Sequence, residues 1–223
     1  MAANDASTRT RGAATPRERY RAQVRAEIKD RAWEQIATAG ASALSLNAIA
    51  KSMGLSGPAL YRYFAGRDEL ITELVRDAYR SLADALHAVA AEGTDLAGLA
   101  RALREWALAD PHRYFLVWGT PIPGYQAPED TTAIADEVMR LLLDATAALD
   151  PPAPGTALAG HLQEHRTWAE GHPAPPAALH RALLVWTRLH GVLSLELAGH
   201  FTGMGLDPAR LYAAELDALT GTA

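Results

Sequence analysis

"SLNAIAKSMGLSGPALYRYF", residues 45–64, sets two short apolar segments on either side of a glycine. Ser45 stands where an N-cap belongs, and Ile49, Ala50 and Met53 turn inward on the helix behind it. Gly54 supplies a position that tolerates positive φ, so the chain can turn sharply there. Ser56 reads as a second N-cap accepting from a first-turn amide. Pro58 falls within that turn, where a missing N–H costs nothing. Leu60 and Phe64, four apart, face inward and leave Gly57, Ala59, Tyr61 and Arg62 outside. A small residue at the helix crossing (Ala50), a turn glycine four residues on, and an apolar pin six beyond that give the spacing of a helix-turn-helix.

The outward face fits a DNA groove. Small residues at the leading tip let the backbone approach base edges, Tyr61 and Tyr63 can donate to phosphates, and Arg62 reaches a phosphate or a guanine edge. Charge is distributed accordingly. Residues 1–70 carry 11 Lys+Arg against 7 Asp+Glu, and the rest of the chain 10 against 19, so only one end suits a polyanion. The absence of cysteine excludes disulfides, thiolate zinc sites and cysteine nucleophiles, and fits a reducing cytoplasm. Every apolar stretch is broken by charge, and the polar, Arg-rich start holds no apolar signal segment.

Ala and Leu outweigh Val and Ile, and no alternating run appears, which predicts an all-α chain. Residues 1–16 read as a disordered basic arm in which Arg9 and Arg11, followed by Arg17, Arg19 and Arg21, offer phosphate or minor-groove contacts. From residue 17, Tyr20, Val24, Ile28, Ala32 and Ile36 form one stripe, closed by Gly40. A long amphipathic helix is predicted over 67–91 and joins the two parts. Turn signals then delimit helices at about 95–109, 111–119, 129–149, 155–170, 176–202 and 207–219.

On "AIAKSMGLSGPALYRYFAGRDEL" (48–70), with Ala50, Gly54, Leu60, Tyr61, Phe64 and Arg67, the chain resembles the DNA-binding domain of the tetracycline-repressor (TetR) family of bacterial regulators. The resemblance implies a three-helix head over 17–75, with its motif at about 45–64, and a larger helical effector-binding and dimerisation domain over 76–223. It implies a sequence-specific transcriptional regulator, most simply a ligand-released dimeric repressor on a palindromic operator, with no cofactor and no catalytic activity. Carried over by position, base contacts fall on Asn47, Gly57, Pro58 and Ala59, and phosphate contacts on Ser45, Tyr61, Tyr63 and Arg67, where the family usually has Lys. Ser56 and Arg62 complete the expected DNA-binding set. Gly57 has no side chain to read a base and Ala59 offers only a methyl, so readout shifts toward Asn47, Arg62 and DNA shape.

The acidic remainder is read from its residues. Trp106, Tyr114, Trp118, Tyr125, Met139, His165, Trp168 and Trp186 are candidate walls of a pocket for a hydrophobic or aromatic effector. The apolar residues of 176–202 cover more than one stripe, which calls for cover on two sides. Leu184, Leu189, Val192, Leu195, Leu211 and Leu216 are the candidate two-fold dimer face. One competing motif remains. "HLQEH" at 161–165 fits an inverted zinc-protease pattern, with His161 and His165 as ligands and Glu164 as base of a metal-dependent hydrolase. It lacks a placed third ligand and leaves the basic head unexplained, so no metal site is expected.

Overall fold

A computed structural model describes residues 15–93, 95–149, 156–169 and 171–221. Arg9 and Arg11 of the expected basic arm lie outside these residues. Ten α-helices and two short 3₁₀ turns account for the regular structure described, and no strand occurs among the described residues. The chain divides into two compact units, Met1–Leu70 and Ile71–Ala223.

In the first unit, α1 (Pro16–Ala39) opens with a full capping box. The Thr15 hydroxyl accepts from the Glu18 amide, and the Glu18 carboxylate accepts from the Thr15 amide at 2.7 Å. Val24, Ile28, Ala32 and Ile36 are buried along one stripe, as their four-residue spacing requires. Tyr20 departs from that stripe. One turn nearer the helix start, its side chain lies past the buried core and is 64% exposed. A 3₁₀ turn (Ala41–Ala43) leads into α2 (Leu46–Ser52), where the Ser45 hydroxyl accepts from the Ala48 amide at 3.3 Å. Gly54 sits at φ 66°, the left-handed conformation the turn demands. Regular α-helix in α3 covers only Gly57–Leu60, shorter than the expected run to Phe64, because the chain tightens to i→i−3 bonds at Arg62 and Tyr63. Ser56 makes no side-chain cap to this helix, contrary to its reading as an N-cap: Pro58 has no amide to offer, and the Ala59 and Leu60 amides bond the Ser56 carbonyl instead. Leu60 and Phe64 are fully buried and pin α3 in place.

From α4 (Arg67–Ala91) the chain runs into the second unit, where α9 (Pro176–Leu197) is the central element. It packs against α5 (Leu96–Ala109), α7 (Glu129–Ala147), α8 (Ala157–Glu164) and α10 (Pro208–Thr220). A shorter α6 (Pro111–Trp118) packs on α5, held at its start by Asp110 accepting from the His112 and Arg113 amides. Expected helix ends move where caps intervene. The 155–170 segment breaks after Glu164 and resumes as a 3₁₀ turn at Thr167–Ala169, and α9 stops at Leu197 just before Gly199 at φ 77°.

Candidate nucleic-acid interface and effector core

The exposed edge of the first unit brings together Asn47 on α2 and the tip of α3. Gly57 lies so close to Asn47 that a Cβ built on it would meet Asn47 Oδ1 at 3.6 Å, an ordinary contact. Asn47, Ser56, Pro58, Tyr61 and Arg62 are exposed, while Ser45, Gly57, Ala59 and Tyr63 are half-buried around them. The backbone under this edge is braced from behind. Arg21 donates to the Arg62 carbonyl at 2.9 Å and lies over the Tyr63 ring at 5.6 Å. Arg25 donates to the Tyr63 carbonyl, sits 4.1 Å over the Phe64 ring and pairs with Glu69 at 3.7 Å. These basic residues of α1 therefore brace the backbone that follows α3.

A cleft of about 320 Å³ opens between the start of α1 and α3, lined by Arg17, Tyr20, Arg21, Leu55, Ala59, Arg62 and Tyr63. Its mixture of guanidinium and phenol suits a sugar-phosphate strand. Tyr20 belongs to it and was missed because its spacing imitates a core position.

Arg67 is placed differently from a phosphate clamp. Its Nε donates to the Leu44 carbonyl at 3.2 Å, and Nη2 to those of Ala41 and Ser42 at 3.1 and 3.2 Å. The side chain ties down the 3₁₀ turn that delivers Ser45 and α2.

In the second unit, four of the eight expected pocket residues converge. Trp118 meets Trp106, Tyr114 and Trp186 at ring-centroid distances of 5.9, 5.1 and 5.8 Å. His190, one turn beyond Trp186 on α9, neighbours three of them, with Tyr114 at 5.6 Å, Trp118 at 4.5 Å and Trp186 at 4.1 Å. The i, i+4 relation of Trp186 and His190 was the signal available for it. Burial holds the imidazole neutral, its pKa lowered to about 4, and pushes the Tyr114 phenol up to about 12. Tyr125, Met139, Trp168 and His165 lie apart. Tyr125 shares a hydrogen bond with Thr72 at 3.1 Å, and Met139 and Trp168 flank a void of only about 10 Å³.

The apolar cavity lies elsewhere than expected. It measures about 40 Å³ and is lined by Leu86 of α4, Leu96, Leu99, Ala100 and Leu103 of α5, Val138, Leu141 and Leu142 of α7, and Val185, Trp186 and Leu189 of α9. Trp186 alone of the expected eight lines it. Leucines were passed over because at helical spacing they are indistinguishable from core.

The expected dimer face divides. Leu189 and Val192 of α9 and Leu216 of α10 are buried in the subunit's own core, where α9 packs on α5 and α10. Leu184 and Leu211 are half-buried, and Leu195 is 44% exposed. At 161–165 the two histidine rings stack 4.1 Å apart, and His165 Nδ1 lies 3.1 Å from the His161 carbonyl. No group of three metal-ligating side chains forms among the described residues.

A braced helix-turn-helix together with a second helical unit built around a central helix points to a DNA-binding regulator, and the chain belongs to the TetR family of bacterial transcriptional regulators. Residues 28–74 match the bacterial regulatory proteins of the tetR family, and residues 96–219 match the tetracyclin repressor-like C-terminal domain. The HTH-type transcriptional regulator Rv1816 of Mycobacterium tuberculosis is 34% identical over 212 residues, spanning 87% of this chain and 90% of that protein. Among solved structures, the chain resembles SCO4313 with a TM-score of 0.87 and 70% identity, covering 93% of this chain and all of that one (100%). A protein from Rhodococcus sp. RHA1 shares the fold at a TM-score of 0.65 and 22% identity, over 96% of this chain and 98% of that one. No helix among the described residues is long and apolar enough to cross a membrane.

Proposed function

We propose that this chain is a cytoplasmic, dimeric repressor that binds a palindromic operator through residues 17–75 and is released when an apolar effector enters residues 76–223. The observation that carries the reading is the exposed cluster of Asn47, Gly57, Tyr61 and Arg62, fixed from behind by Arg21 and Arg25. Asn47 offers a bidentate amide to adenine, and its closeness to Gly57 lets one side chain serve the place where two helices meet the groove. Tyr61, Arg62 and the cleft with Arg17 and Tyr20 take the phosphates. Two such heads about 34 Å apart would read successive major grooves, which favours a two-fold dimer. Leu184, Leu195 and Leu211 keep the exposure such a dimer needs.

The cavity of about 40 Å³ supports an apolar effector that enlarges its site on entry. Release then follows from tighter binding to the enlarged state. The test is a gel shift with the full-length protein and DNA flanking its own coding region. A discrete complex is expected, weakened roughly tenfold by Tyr61→Ala, which loses a phosphate contact without disturbing the core. Failure to retard any such fragment at low salt refutes the reading.

A further inference from the structure

We infer that His190 is the polar anchor of the effector site and that the effector is an uncharged, apolar molecule that donates one hydrogen bond, such as an alcohol or a phenol. The inference rests on the effector reading of the cavity above. Three observations carry it. His190 Nε2 is buried and meets no hydrogen-bond partner among the described residues. Such an atom carries a penalty that a ligand group can relieve. The imidazole is walled by Trp118 and Trp186, and Trp186, not His190 itself, lines the apolar cavity, so a swing of that one indole would open the orphan nitrogen to the space for an apolar tail.

The third observation fixes the direction of the bond. The Tyr114 hydroxyl lies 3.0 Å from His190 Nδ1 and donates to the His190 carbonyl at 3.3 Å. That hydroxyl has one proton and a carbonyl can only accept. Both contacts are hydrogen bonds only if Tyr114 donates to the carbonyl and Nδ1–H donates to the Tyr114 oxygen. Nε2 then carries a bare lone pair and accepts. A ketone or ester would bring a second lone pair against it. A carboxylate would do the same and add a charge, and the rings packed on His190 are aromatic, with no cation among them to receive it.

The test titrates the full-length protein with decyl alcohol, methyl octyl ketone and decanoate, following tryptophan fluorescence and the ¹⁵N resonance of His190 Nε2. The alcohol is expected to bind about tenfold tighter than the ketone, with decanoate weakest. The Nε2 resonance should be that of an unprotonated nitrogen and should move upfield with the alcohol alone. His190→Phe should bring the alcohol down to the ketone's affinity, while His190→Gln, whose amide oxygen accepts, should keep part of the preference. If His190→Phe does not fold, the wild-type resonance decides. A ketone or decanoate that matches the alcohol, or a protonated Nε2 in the free protein, overturns the anchor and leaves the cavity intact. Absence of binding by all three overturns the effector reading of the cavity, and the anchor with it.

Discussion

Removing the Arg67 guanidinium distinguishes a brace from a DNA contact. Its three carbonyl bonds run from a charged donor, which places each at about 1.5–3 kcal/mol under good geometry. Lengths of 3.1–3.2 Å are at the long end, two of the three share Nη2, and the side chain retains 30% exposure, so screening reduces the sum. A loss of about 2 kcal/mol for Arg67→Ala follows, located in the Ala41–Leu44 turn and the start of α2. Hydrogen exchange should show it as lost protection at the Ser45 and Ala48 amides, which bond Gln35 and Ser45. DNA affinity should fall at every salt concentration, with no change in the slope of log K against log salt. Arg62→Ala is the contrast, because Arg62 stands exposed on the reading edge. There the slope should flatten by about 0.9, one phosphate's worth. If Arg67→Ala flattens the slope by that amount while the Ser45 and Ala48 amides stay protected, Arg67 touches phosphate and the brace is wrong.

Gly57→Ala should leave stability within about 0.5 kcal/mol, because the new Cβ meets Asn47 Oδ1 at 3.6 Å and no positive φ is involved; operator selection should nonetheless reveal altered base preference. Leu195→Glu is expected to yield monomers by light scattering with little change in melting, whereas Leu189→Ala should destabilise by about 2–5 kcal/mol as a core truncation. His190 gives a pH signature. Burial lowers its folded pKa from the ordinary 6.5 to about 4, so protonation favours the unfolded chain as pH falls. That contribution is complete above pH 6.5 and is lost down to pH 4, about 3 kcal/mol in all, while the Tyr114 phenol facing it stays neutral. Denaturant titrations of His190→Gln should flatten that window; an unchanged profile would assign it to other groups.

The head was legible because several constraints act on few residues. Ala50, Gly54, Leu60 and Phe64 have no freedom to vary their roles when two short helices must cross, and each lies where its spacing put it. What spacing misjudged was the edge of the unit. Tyr20 repeats the stripe of Val24 and Ile28 but lies past the buried core, and Arg67 has the position of a surface cation but finds three carbonyls within reach. In the second unit the aromatic residues drew notice because they are rare, yet the cavity is built largely of leucine. Leu189 and Leu195 are both apolar residues of one helix. Only the positions of α5, α7 and α10 decide that the first is covered and the second is not. His190 escaped because its i, i+4 relation to Trp186 is a common spacing that singles out nothing until Tyr114, Trp118 and Trp186 are seen around it.

The small size of the cavity constrains what can open it. A ligand site ordinarily needs roughly 300 Å³ or more, and the void here measures only about 40 Å³. On the proposed effector reading, the ligand-bound state must therefore part α5, α7 and α9, and the work must come from the ligand's preference for that state. Moving a two-state population from one part in a hundred to ninety-nine takes about 5.5 kcal/mol of differential binding. At about 25 cal/mol per Å² of apolar surface, roughly 220 Å² must leave water in the open state beyond what the closed state buries. One hydrogen bond to His190 can orient such a molecule but supplies only a fraction of that energy. A short alcohol should therefore occupy the anchor without releasing DNA, and a decyl chain on the same hydroxyl should release it. Equal release by propanol and decyl alcohol, each at saturation, would mean that the switch is thrown by the anchor and not by the spreading of the helices.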